Sequence, residues 1–163
     1  MPYAPSTADR LCEMRMFSSV AELEGAIGTH LGFSPWRVIT QQQIDTFADA
    51  TDDHQWIHVE PIKAAEGPYG STIAHGYLTL SLVSAMLWEV YGVEGIRTAI
   101  NYGADTVRFP APVPVGSRLR AGAELRSVTR ARSGFRVVVH VTVEIEGASK
   151  PACVVDSIGL LSP

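Results

Sequence analysis

Apolar residues recur with a helical period through the first half of the chain and with a period of two from Arg97 onward. The stretch "SSVAELEGAIGTHLG" predicts a short helix, capped by Ser18 or Ser19 and ended by Gly28 or Gly32. "WRVIT" reads as a short strand. Thr40 followed by Gln43 fits a capping box, and Ile44, Phe47 and Ala48 then carry helical spacing through "QQQIDTFADAT". In "EPIKAAEG", Pro61 suits a first helical turn and Gly67 a stop. The turn-rich "GPYGST" leads into residues 73–92, "IAHGYLTLSLVSAMLWEVYG", where Glu89 is the only acidic or basic side chain apart from His75. A helix apolar on nearly every side belongs in the middle of a protein.

The alternating half reads as sheet. In "FRVVVHVTVEIE", Phe135, Val137, Val139, Val141, Val143 and Ile145 share one face, while Arg136, His140, Thr142, Glu144 and Glu146 fall on the other. Leu119, Ala121, Ala123 and Leu125 form the apolar side of "RLRAGAELRSV". "TRARSG" and "EGASKP" are the turns between strands, and "CVVDSIGLL" closes the sheet. "FPAPVPVGS" holds too many prolines for a central strand and predicts an edge or crossover. The expected architecture is α+β: an antiparallel sheet with one face covered by a single long, buried helix. So apolar a helix needs more cover than one sheet face, which predicts a homodimer.

Composition narrows the function classes. A chain of 163 residues suits one domain, and 46% hydrophobic with 18% charged residues is globular rather than disordered. A net charge of −4 offers no basic footprint for nucleic acid. No apolar run reaches the roughly 18 residues a membrane span requires. Cys12 and Cys153 stand in no metal or redox spacing, and reduced thiols in the cytoplasm are expected. Residues 1–16 lack the basic-then-apolar pattern of a secretory signal and read as a loosely ordered extension ahead of a domain over 17–163.

The candidate chemistry lies in residues 50–61, "ATDDHQWIHVEP". Asp53 and His58 are five positions apart, too many for one helical turn and convenient for a loop. A carboxylate and an imidazole facing one water can share acid and base work near neutral pH. The blander reading, a helix cap beside a solvated turn, holds for Asp52 and His54, which are expected to point outward. A second candidate is Gly76, at the start of the buried helix, where free backbone N–H groups and the helix dipole favour an oxyanion. Ser84, eight residues on, needs a partner for its hydroxyl: either Asp53 or a carbonyl of its own helix. His75 reads as a structural hydrogen-bonder.

The order of these features resembles a known family. "FADATDDHQWIHVEP" is similar to the hydratase motif of the MaoC-like family, the (R)-specific enoyl-CoA hydratases with the hot-dog fold, in which Gly-Asp-x-Asn-Pro-(Leu/Ile)-His follows an aromatic residue and a spacer. "STIAHGYLTLSLVS" looks like the following helix and "VRFPAPVPVGSRLR" like the later strand and turn, so the likeness covers residues 35 to 160. Asp52, Gln55 and Trp56 replace the family's Gly, Asn and Pro, and "HQWIH" is similar to the branch of nodulation protein N.

The resemblance implies a hot-dog fold, a sheet wrapped around the long helix in a homodimer, and hydration of trans-2-enoyl-CoA. Asp53 and His58 would be catalytic, the Gly76 N–H would hold the thioester oxygen, and Ser84 would support Asp53. It implies no metal and no cofactor beyond the CoA thioester substrate. Trp56, His75, Tyr77 and Trp88 are candidates for the pocket wall, and Arg97, Arg108, Arg118 and Arg120 for contacts to the CoA phosphates. Two rivals stand beside this reading. One is a hot-dog thioesterase, for which the long helix offers only Glu89; the other is an acyl-CoA-binding accessory protein that does not turn over.

Overall fold

The computed structural model describes residues 14–163, so Cys12 and most of the expected extension lie outside the described residues. The first strand, β1 (Arg15–Phe17), already takes in positions 15 and 16. Helix α1 (Val20–Glu24) is capped by Ser19, whose hydroxyl accepts from the Glu22 N–H. The expected helix through residue 32 stops there. Gly25 and Gly28 are poor helix formers, Gly28 takes φ +81°, and its N–H donates to the Leu125 carbonyl. The chain then runs as β2 (His30–Phe33) along β6 (Arg118–Ala131), so Gly32 is a strand residue rather than a helix stop.

After β3 (Arg37–Val38) come the helices α2 (Gln41–Thr51), α3 (Trp56–Val59) and α4 (Pro61–Ala65). The long helix α5 (Gly76–Val90) follows and passes directly into β4 (Tyr91–Val93), which pairs in parallel with β1. The expected helix begins three residues late because Ile73 bridges to Pro114 and Ala74 donates to Val113 in extended form.

The remaining strands are β5 (Thr98–Arg108), β7 (Gly134–Ile145) and β8 (Cys153–Ser162). With β6 they form one sheet in the order β2-β6-β7-β8-β5, and β3 adds to β6. The β6–β7 register pairs Ala121 with Val143, Ala123 with Val141 and Leu125 with Val139, which puts the expected apolar faces of both strands on one side. Those residues and the α5 residues Leu78, Val83, Met86 and Val90 belong to one buried cluster. Ala121 and Ala123 are fully buried, and their small side chains let the helix lie close to the sheet.

Two surfaces of this unit remain open. On α5 the residues Tyr77, Ser81, Ala85 and Trp88 form an exposed stripe at helical spacing. Beside it, among the described residues β5 pairs only with β8, and Ile100 and Tyr102 on it are exposed. Among the described residues no helix is long and apolar enough to cross a membrane.

Candidate active site

Helix α2 sets up the site from both ends. At its start Thr40 accepts from the Gln43 N–H at 3.2 Å, and the Gln43 side chain accepts from the Thr40 N–H at 2.9 Å, completing the capping box. At its end Asp52 takes the left-handed conformation, φ 58° and ψ 19°. That explains the family's glycine at this position. Aspartate is one of the few other residues that tolerates it, because its short side chain bonds locally. The turn leaves Asp53 as the first residue of the loop. Asp52 and His54 are exposed, and His54 pairs with Asp49 at 2.9 Å, away from the site.

The loop delivers His58 to a defined place. Gln41 donates to the His58 carbonyl at 2.7 Å and accepts from the Thr72 hydroxyl, and the Ile73 N–H donates to the Ile57 carbonyl at 3.0 Å. His58 is buried, and its Nδ1 lies 2.7 Å from the Ile73 carbonyl. A carbonyl only accepts, so the ring proton sits on Nδ1 and Nε2 carries a lone pair. Burial pushes the imidazole below its ordinary range. The neighbouring His75 adds to the depression, while the Ile73 carbonyl and the Asp53 carboxylate oppose it. His58 is therefore neutral at pH 7, with Nε2 ready to accept a proton.

Asp53, His58 and His75 each offer a side-chain donor atom, and those atoms all lie within 4.8 Å of one another. This is the only cluster of that kind among the described residues. Nδ1 of His58 and Nε2 of His75 are committed to carbonyls, and the two rings stack at 3.7 Å with 24° between their planes. Nearly parallel rings do not aim their two remaining lone pairs at one point, so the cluster suits proton sharing better than a metal ion.

Gly76 opens α5 one residue after His75. Its N–H belongs to the first turn, which has no carbonyl partner inside the helix. Together with His58, Thr79, Phe109 and Pro112 it lines a cavity of about 290 Å³. A methyl group on Gly76 would lie 3.0 Å from the Phe109 ring, so glycine is what keeps the backbone open here. Phe109 was not foreseen as a site residue. It stands in the proline-rich "FPAPVPVG", and its ring reaches Gly76 only through the pairing of Ala74 with Val113 and Ile73 with Pro114.

Other expected residues are placed elsewhere. Within the chain Ser84 does not meet Asp53. Its hydroxyl accepts from Asn101 Nδ2 at 3.1 Å and lines a second cavity, of about 440 Å³, with Leu87, Trp88, Val137, Val139 and Leu161. Eight residues of helix separate it from Gly76, roughly 12 Å. Trp56 is no wall of either cavity: its indole packs over Gly67, where an added methyl would come within 2.9 Å of the ring. His75 lies buried beneath His58, and Tyr77 is exposed with its ring edge-on to Phe109. Arg118 and Arg120 pair with Glu146 and Glu144. Arg108 bonds a backbone carbonyl, and Arg97 lines the second cavity. Glu89 is held by Arg37 at 2.6 Å.

Comparison with known proteins bears on the family and the fold. Residues 22–148 match the MaoC like domain. The chain is 54% identical over 146 residues to 3-hydroxyacyl-thioester dehydratase Z of Mycobacterium tuberculosis, covering 89% of this chain and 97% of that protein. It is 47% identical over 148 residues to nodulation protein N of Rhizobium leguminosarum bv. viciae, covering 88% and 91%. Among solved structures, the unliganded R-hydratase PhaJ1 of Pseudomonas aeruginosa superposes with a TM-score of 0.71 at 26% identity, covering 88% of this chain and 85% of that one. An antiparallel sheet packed on one long helix, an Asp and a His at the family's spacing, and these relatives lead to one conclusion: the chain has the hot-dog fold and belongs to the MaoC-like dehydratase family, as a hydro-lyase.

Proposed function

We propose that this hydro-lyase is an (R)-specific enoyl-CoA hydratase, adding water reversibly to a trans-2-enoyl-CoA to give the (R)-3-hydroxyacyl-CoA. The observation that carries the reading is the Asp53–His58 pair beside the Gly76 N–H. A water between the two groups donates one hydrogen to the Asp53 carboxylate and the other to His58 Nε2. As its oxygen attacks C3, Asp53 takes the first proton and the electron pair of the double bond moves toward the thioester. The Gly76 N–H then meets the enolate oxygen. The proton returns to C2 from the pair, leaving both groups as they began with one water added. In its neutral tautomer His58 has a proton to return only after taking one.

No metal or redox group takes part in this scheme, and the CoA thioester is the substrate. The second, largely apolar cavity suits the acyl chain. The protein acts as a homodimer: among the described residues the outer edge of β5 has no partner strand and α5 carries an exposed stripe, and an unpaired edge invites pairing with another copy. The cytoplasm is the compartment where its substrate would be met.

The test is to follow the enoyl-thioester absorbance of crotonyl-CoA while titrating free thiol and identifying the product's hand with an R-specific dehydrogenase. Loss of absorbance with an (R)-hydroxy product and no thiol supports the reading. Thiol release would make the protein a thioesterase, and binding without turnover an accessory protein.

A further inference from the structure

His75 is the one ring that touches every part of the site. It is 3% exposed and contacts the His58 ring, stacked at 3.7 Å, and the Phe47 ring of α2, at 5.0 Å. Its Nε2 lies 2.9 Å from the Asp53 carbonyl. Since a carbonyl only accepts, the ring proton is on Nε2 and Nδ1 holds a lone pair. Nδ1 is buried and has no hydrogen-bond partner among the described residues. Its backbone is the N-cap of α5, so the next N–H is that of Gly76.

A buried histidine with a structural task alone would be expected to satisfy both nitrogens, because an unpaired buried polar atom is a cost that folding has no reason to keep. Here one nitrogen is left unpaired while the other fixes the backbone of Asp53. The contact to the Asp53 carbonyl requires a proton on Nε2.

We propose that His75 is a positioning residue for the Asp53–His58 pair: its Nε2–H ties down the Asp53 backbone and its ring seats the His58 ring, so that the carboxylate and His58 Nε2 stay spaced for one water in register with the Gly76 N–H. The inference rests on the hydratase reading for its kinetic consequences, though not for its geometry. Phe47 of α2 packs against the same ring, tilted by 54°. The helix cap ties this arrangement to Gly76, so all the groups that would face substrate are referenced to one side chain.

Two substitutions separate the parts. His75→Phe keeps an aromatic ring against His58 and removes the N–H. His75→Gln keeps an N–H at similar reach and removes the ring. On crotonyl-CoA, His75→Phe lowers kcat by about 100-fold, the scale of a misplacement near 1 Å, and leaves KM within a few-fold. His75→Gln recovers at least a tenfold part of that loss.

A wild-type kcat in His75→Phe overturns the proposal. So does an equal fall of kcat in both variants, or a fall of apparent kcat that only matches the loss of folded protein. A readout independent of turnover uses long-range proton–nitrogen correlation on the wild-type imidazoles, with His58→Ala to assign the signals. The proposal requires His75 protonated on Nε2 and His58 on Nδ1. His75 protonated on Nδ1 refutes it even in a protein that does not hydrate crotonyl-CoA.

Discussion

Gly76→Ala separates the fold from the chemistry at a single methyl group. The added carbon would lie 3.0–3.1 Å from three atoms of the Phe109 ring, roughly half an ångström inside the usual contact of 3.5–4.0 Å. Phe109 is 40% exposed, so its ring can swing toward solvent. The gain from replacing glycine by alanine in a helix, up to about 1 kcal/mol, offsets much of that strain. The variant is therefore expected to unfold within about 1 kcal/mol of wild type. The N–H survives, but the methyl and the displaced ring crowd the mouth of the cavity shared with His58. A thioester oxygen held away from the N–H loses a donor worth about 2.7–4 kcal/mol, or 10²–10³ in kcat. Thermal melts paired with crotonyl-CoA kinetics read both quantities. Adding Phe109→Leu is expected to relieve strain in the melt without restoring turnover. A kcat within threefold of wild type in Gly76→Ala would refute the oxyanion role of Gly76.

Asp52→Gly should leave turnover intact and stability equal or slightly raised, since glycine adopts φ 58° freely, whereas Asp52→Ala should cost about 1 kcal/mol in denaturant melts. Because His58 acts neutral and burial lowers its proton affinity, kcat/KM should be full above the ordinary imidazole value of about 6.5 and fall as pH drops through a midpoint below it. The sign is the same for stability. The unfolded chain binds that proton first, so this contribution is present above about 6.5 and lost toward the lower folded value; a midpoint at or above 6.5 in the kinetic profile would contradict the burial argument. Met86, fully buried where α5 meets the sheet, should lose about 2–5 kcal/mol on truncation to alanine, read by urea unfolding with an unchanged slope.

Local signals carried well from sequence to structure where the chain decides its own conformation. Thr40 and Gln43 form their capping box, and the alternation of Val137 to Val143 sets the buried face of β7. That Asp53 lies near His58, and His58 near Gly76, was legible because a loop and a helix start bring them together over a short span of chain. What failed depended on distant partners. His30–Phe33 carries no strong strand signal of its own and becomes a strand because β6 offers an edge. Phe109 reaches Gly76 through pairing across the proline-rich crossover. Ser84 pairs with Asn101 of β5, a partner that helical spacing alone does not name. Trp56 looked like a pocket wall from its place between two histidines, yet its ring turns onto Gly67, where only a residue without a side chain leaves room.

The central claim is that Asp53 and His58 share one water, and substituting each tests it most directly. Hydration of crotonyl-CoA should fall by several orders of magnitude in both Asp53→Asn and His58→Ala, with melting curves showing folded protein in each. Turnover that survives in either folded variant at near the wild-type rate would remove that residue from the chemistry and the shared water with it.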